Sequence, residues 1–264
     1  MVPPKTRGRN SYNPPGDLVY SRVDRKGRPG GSCFSIIVPV LNEEAILENY
    51  LAPLAGQCAQ HNCELLIVDG GSTDNTAAIA QRYGQVIHSA RGRATQMNAG
   101  AATAKGDVLF FVHADTRLPA EAFSAIAQTL ASPGVVGGAF RLCFNCDQWM
   151  YHLVAYTTNL RSRFRNIFTG DQAYFIRSDI FHAVGGYPDQ PLMEDLEIIA
   201  RLRKFGKVIL LPLYVTTSAR RHEKMGLFHS VLFMWFLRTL YRLGVPPAQL
   251  LVAIGRARRR RHAA

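Results

Sequence analysis

The sequence has no apolar run of the roughly 20 residues that a membrane-crossing helix needs. Its nearest approach, GLFHSVLFMWFLRTLYRLG (Gly226 to Gly244), is broken by His229 and Ser230. That segment reads as a core helix. Lying flat on a bilayer, with Lys224, Arg238 and Arg242 at its edges, is the other arrangement it allows. No apolar stretch of signal-peptide type is present either, which predicts a cytoplasmic protein, with the inner face of the membrane as the alternative placement. The five cysteines form no even framework and point to reduced thiols. Cys143 and Cys146 have metal or redox spacing, but a structural zinc site needs four ligands and Cys58 with Cys63 is a poorly matched second pair, so they read as structural. Also missing are a Walker A loop and a Gly-x-Gly-x-x-Gly turn. The turn after the first strand is PVLNEE, with two acids where a phosphate would sit, which excludes dinucleotide and P-loop sites.

Acids are scarce as well, 19 against 31 Lys and Arg, giving a net charge of +12. Such a balance suggests nucleic acid, but the charge is concentrated at the ends. Residues 1–32 carry seven basic residues against Asp17 and Asp24, and residues 256–264 carry five arginines and no acid. The body between them is close to neutral, so no specific nucleic-acid partner is expected. The first tail, rich in Pro, Gly, Asn and Arg, is predicted to be disordered. Both tails read as solvated charge, or as sites of attraction to anionic lipid or RNA at about 1 kcal/mol per basic residue near a charged membrane.

The body alternates. FSIIVPV (Phe34 to Val40) is a buried strand, followed by a helix with Asn42 as its N-cap and Glu43 and Glu44 in its first turn. CELLIVDG is a strand ending at Asp69, and the next helix is capped near Ser72 and stopped at Gly84. QVIHS, then RATQMNAGAATAKG, then DVLFFVHAD read as strand, helix and strand, and a further helix starts near Pro119. Apolar strands alternating with helices predict an α/β fold with a mostly parallel sheet flanked by helices. Ligands of such sheets bind beyond the carboxyl ends of the strands, where Asn42, Asp69 and Asp115 stand. After Val135 the order is a strand VVGGAFRLCF, a helix over 147–168, a strand QAYFIR, short helices SDIFHAVGG and MEDLEIIARLRKFG, and KVILLPLYVTT as one or two strands. The aromatics of the 147–168 helix, including Trp149 and Tyr151, read as core ahead of lining an acceptor site.

SIIVPVLNEEAIL, LLIVDGGSTDNT, GRATQMNAGAATAKGDVLFFVHADT, the segment from GDQAYFIR to LRKFGK, and SARRHEKMG stand in an order and spacing that resembles family 2 glycosyltransferases of the GT-A fold. The resemblance runs from about Phe34 to Gly244 and is greatest to the small bacterial arsenosugar-biosynthesis-type subgroup. It implies one domain over 33–255, with a nucleotide half (33–134) and an acceptor half (135–255). The implied reaction is metal-dependent, inverting transfer of a sugar from a UDP- or GDP-sugar to an acceptor hydroxyl, small or lipid-linked, with Mg²⁺ or Mn²⁺. On this resemblance Pro39, Asn42, Glu43 and Asp69 line the nucleotide pocket, with Asp69 accepting from the base, although Asp69 equally reads as the cap of its own turn. Arg93 points toward the diphosphate, and Arg220 and Arg221 touch phosphate. His113-Ala114-Asp115 occupies the place of an Asp-x-Asp signature, so Asp115 holds the metal while His113 faces the ribose or packs locally. Glu194-Asp195 marks the catalytic base, assigned to Asp195, and His222 is either a metal ligand or a surface histidine. Two other classes are open at this stage: a GT-A-like nucleotidyltransferase, against which PVLNEE argues, and a non-catalytic binder of membrane or RNA acting through the tails.

Overall fold

The computed structural model describes residues 32–220 and 227–251, without the side chains of 227–230. Both basic tails, Arg221 and His222 lie outside the described residues.

The first three βα units form as their patterns predict: β1 (Phe34–Val40), α1 (Glu44–Gln60), β2 (Cys63–Asp69), α2 (Thr76–Ala80), β3 (Gln85–His88) and α3 (Arg93–Thr103). There follow β4 (Val108–Phe111), a two-residue β5 (Thr116–Arg117), α4 (Ala122–Leu130), β6 (Val135–Phe144) and α5 (Trp149–Arg165). A 3₁₀ turn at Gly170–Gln172 leads into β7 (Tyr174–Arg177), α6 (Ser178–Ala183), α7 (Glu194–Leu202), β8 (Lys207–Thr217) and α8 (Leu227–Arg242). KVILLPLYVTT is thus one strand, shifted in register against β6.

The eight strands form one sheet in the order β3-β2-β1-β4-β7-β6-β8-β5. Pairings among β3, β2, β1 and β4 are parallel, as is β6 with β8, while β7 runs against both its neighbours and β5 against β8. A parallel sheet needs cover on both faces, and β1 shows it residue by residue. Ile36, Val38 and Val40 pack with Leu47 and Leu51 of α1 and Phe123 of α4. Ile37 points the other way, into a core with Met97 of α3, Phe181 of α6 and Ile198 of α7. Gly100 lets α3 lie close to that face, since a Cβ there would stand 2.5 Å from Ile37 Cγ2. The reversed direction of β7 brings its N-terminal end, with the 3₁₀ turn, to the rim where β1, β2, β4, β6 and β8 end.

Four local expectations are corrected. Asn42 is not the cap of α1: the capping position is Glu43, without a side-chain cap bond, and Asn42 adopts a left-handed conformation (φ 53°) instead. Ser72 is not the cap of α2, which starts later, at Thr76. The aromatics of α5 divide: Tyr151 is buried, but Trp149 is 71% exposed. Nor is α8 simply a core helix, because Leu232, Trp235 and Phe236 are exposed on it. Among the described residues no helix is long and apolar enough to cross a membrane.

Candidate active site

The loops after β1 and β2 are tied to each other. Asn42 Oδ1 accepts the Thr73 N–H at 2.9 Å, and the Asn42 N–H donates to Ser72 Oγ at 3.0 Å. The Glu43 N–H donates to Thr76 Oγ1 at 2.8 Å, and the Asn75 N–H to Glu44 Oε2 at 2.9 Å. Between the loops Asp69 is buried and accepts the Ser72 N–H at 3.1 Å and the Ser72 hydroxyl, so it caps its own turn. His88 Nδ1 lies 3.5 Å from its other oxygen. Beneath this lip the buried Gln96 donates at 2.8 Å to the carbonyls of both Val40 and Val68, holding the two strand ends as they part. Pro39 stays within β1, opposite Val68.

Acids gather on the other side of the rim. His113, Ala114 and Asp115 form the turn that closes β4, the Thr116 N–H donating to the His113 carbonyl at 3.1 Å. The β5–β8 pairing then sets Thr217 Oγ1 3.4 Å from Asp115 Oδ1. Asp171 sits in the 3₁₀ turn, which a reciprocal capping box of Thr169 and Gln172 fixes. Asp195, in the first turn of α7, accepts the Gly170 N–H at 3.2 Å and the Leu196 N–H at 2.9 Å. Gly170 also meets His113: a Cβ there would come 2.8 Å from His113 Nε2, so this imidazole packs on the turn that carries Asp171.

These acids act on one another electrostatically. Burial pushes the Asp115 carboxyl up, and the charges of Glu43 and Asp171 add to the rise. Burial also pushes Asp195 up, with Asp171 adding, while Arg238, Arg93 and the Gly170 N–H pull it down. Asp171 therefore acts on both, and its buried Oδ1 accepts no hydrogen bond from the described residues. The Tyr174 and Tyr187 hydroxyls are buried nearby without a partner and are raised, first by burial and then by Asp195. Arg161 is lowered to about 10, by burial and then by Arg238. Arg93 reaches the buried Glu194 at 3.5 Å, and Arg220 pairs with Glu43. Asn42, Ala173 and Met193, three of the four non-glycine residues with positive φ among those described, flank this region, the usual place for stored backbone strain.

The family model described as "Glycosyl transferase family 2" matches residues 35–185. The chain belongs to that family. Its curated relatives include an undecaprenyl-phosphate 4-deoxy-4-formamido-L-arabinose transferase of Pseudomonas fluorescens, 33% identical over 100 residues (34% of this chain, 29% of the relative). A PGL/p-HBAD biosynthesis glycosyltransferase of Mycobacterium bovis is 40% identical over 93 residues (32% of this chain, 36% of the relative). The chain thus spans about a third of the length of these relatives. A mannosyltransferase from Pyrobaculum calidifontis, solved in complex with GDP-Man and Mn²⁺, superposes with a TM-score of 0.59 at 21% identity, over 85% of this chain and 69% of that one. Glucosyl-3-phosphoglycerate synthase from Mycobacterium tuberculosis, solved with Mn²⁺, UDP and phosphoglyceric acid, gives 0.58 at 17% identity, over 82% of this chain and 80% of that one. These likenesses give the fold, GT-A.

Placed on this family's fold, the residues expected from the sequence fall into two groups. Asp115, Glu194, Asp195, Arg93, Glu43 and His113 belong to the acidic side and its guanidinium partners. Pro39, Asn42 and Asp69 belong to the lip over β1 and β2. Sequence reasoning missed Asp171, Arg161, Tyr174 and Gln96. Asp171 carried a signal, since GDQAYFIR puts an acid one turn before a strand, but nothing local says that this strand runs backwards and delivers the acid to the rim. Among the described residues no three His, Cys, Asp or Glu side chains converge closely enough to hold a metal ion alone. The donors are nevertheless those a hard cation takes: carboxylate oxygens, one of them buried and unpartnered among the described residues, near an Asp115 that burial and then Glu43 and Asp171 push up.

Proposed function

We propose that the chain is a metal-dependent inverting glycosyltransferase that moves a sugar from a UDP- or GDP-sugar to an acceptor hydroxyl. The observation that carries this reading is that the 3₁₀ turn bearing Asp171 bonds Asp195 through the Gly170 N–H and packs on His113, two residues before Asp115, at the rim of a largely parallel sheet. In this reading Asp115, with Asp171 beside it, would hold Mg²⁺ or Mn²⁺. Such a cation supplies charge neutralisation for a departing diphosphate. Arg93 and Arg220 bring guanidinium groups to the diphosphate, and Glu194 acts through Arg93, which it orients. The lip of Pro39, Asn42, Glu43 and Asp69 receives the nucleoside.

Asp195 takes the proton of the acceptor hydroxyl. The freed oxygen attacks the anomeric carbon from the face opposite the diphosphate, the bond from that carbon to the diphosphate oxygen breaks, and its electron pair leaves with the nucleotide. A carboxylate raised above its ordinary range by burial suits this task, since base strength grows as the pKa nears the working pH. Support for the donor class comes from the GDP-Man and UDP complexes of the two structural neighbours, and for a lipid-linked acceptor from the undecaprenyl-phosphate relative.

Calorimetric titration of the full chain with UDP and GDP, with and without Mn²⁺, tests the donor side. One nucleotide is expected to bind in a Mn²⁺-dependent way, and Asp115→Ala to weaken that binding at least tenfold, or about 1.4 kcal/mol. Equal binding without the cation, or an unaffected Asp115→Ala, overturns the metal's role.

A further inference from the structure

Helix α5 is amphipathic twice over. Tyr151, Ala155 and Ser162 are buried on one side. On the opposite side Trp149, Leu153, Tyr156, Leu160 and Phe164 recur at intervals of three or four residues, every one exposed, Phe164 by 74%. Helix α8 packs beside it, its Val231 lying on the cluster of Leu142, Tyr151 and Ala155. It repeats the arrangement, with Leu237 buried and Leu232, Trp235 and Phe236 exposed. Both tryptophans of the chain stand on these outward faces, Trp149 at 71% and Trp235 at 67% exposure, and neither is in the core. Apolar side chains exposed along two adjoining helices are surface of the kind monomeric proteins seldom leave to water.

The charge around the patch selects what covers it. Neither helix contains an Asp or Glu. Arg163, Arg165 and Arg242 are exposed at their C-terminal ends. Arg163 also lines, with Arg141, Arg203 and Lys207, a groove of about 640 Å³ whose walls include no acidic side chain. A second copy placed face to face would set these cations against one another. An anionic bilayer complements them, and an apolar helix face with Trp, Phe and Leu, edged by Arg, is the composition that lies in a headgroup layer.

We propose that the outer faces of α5 and α8 form a docking surface for an anionic lipid bilayer, on which the protein sits without crossing it. Lipid docking does not depend on the assigned chemistry of Asp115 and Asp195.

Because both tryptophans lie on the surface in question, their fluorescence reports on it and ignores the basic tails. The full chain is mixed with vesicles of phosphatidylcholine alone or of phosphatidylcholine with phosphatidylglycerol. Trp149→Phe and Trp235→Phe each leave one reporter. The expected result is a blue shift of both reporters, quenched by brominated acyl chains, on the anionic vesicles only. Trp149→Ser combined with Trp235→Ser is expected to weaken sedimentation with those vesicles by about tenfold or more. Arg163→Glu with Arg165→Glu and Arg242→Glu is expected to weaken it most at low salt, the difference from the wild type shrinking as salt is raised. Sedimentation without any blue shift means that the tails alone bind, and overturns the proposal. So does a blue shift from only one reporter, or one that grows with protein concentration in the absence of vesicles, which assigns the patch to a second copy. Nucleotide binding by the serine variants is read separately, and its loss or retention speaks to the catalytic reading rather than to this one.

Discussion

Asp195 shows how one side chain can favour chemistry at the expense of the resting fold. Burial holds its carboxyl above the ordinary range, and Asp171 lifts it further. A raised carboxyl stabilises the fold fully below the unfolded pKa of about 3.9, and that contribution is lost as pH rises through the higher folded value. Asp195→Asn removes this loss while keeping an oxygen for the Gly170 N–H. The ligand-free variant is therefore expected to melt higher than the wild type at neutral pH, and the gap should close on acidification. Turnover should fall by about 10²–10⁴-fold, the usual contribution of a positioned base, with nucleotide binding retained. Melting curves across pH, beside single-turnover rates, check both halves. A variant that melts lower at neutral pH and transfers sugar at the wild-type rate would remove Asp195 from the role given to it here.

At the scale of elements, α3 sets the geometry of one wall. Its first residue is Arg93, its second turn begins with Gln96 under the β1 and β2 ends, and Gly100 lets it settle on Ile37. Gly100→Val forces atoms into that contact and is expected to cost about 1–3 kcal/mol, as overpacking does. Because α3 carries Arg93 and Gln96 rather than Asp195, the donor KM should rise more than kcat falls. A change in kcat alone would place the strain elsewhere. The same elements show what the sequence could say. Continuous apolar runs at Phe34–Val40 and Cys63–Asp69 signal strands covered on both faces, and the acids at their ends signal a rim. Local periodicity says nothing about strand direction, so Asp171 was out of reach until β7 was seen to run antiparallel. Capping residues misled for a related reason: the Asn42 and Ser72 side chains accept from Thr73 and Asn42 across the two loops, and Ser72 also donates to Asp69 in its own turn, instead of capping the helices that follow. The stripe on α5 had the right period, but periodicity cannot tell an apolar face turned inward from one turned outward.

At the scale of the whole molecule, residues 33–134 and residues 135–255 are coupled through a shared interior. The core on the α1 side joins Ile36, Val38 and Leu47 to Phe140, Phe175 and Val215. The core on the α3 side joins Ile37 and Leu66 to Val136, Ile176 and Ile198. The hydrogen-bonded seam between β4 and β7 runs directly between the halves. Each half alone would expose one flank of both cores, so neither is expected to unfold before the other. The described fold should melt in one transition, and nucleotide with Mn²⁺ should move all of it. At about a hundredfold excess over Kd the added stability is about 2.7 kcal/mol. Differential scanning calorimetry with and without ligand reads this directly. Two transitions, with only the earlier or the later one shifting, would mean that the halves are separate cooperative units, and that the grouping of Asp115 with Asp195 is assembled by ligand rather than built into the fold.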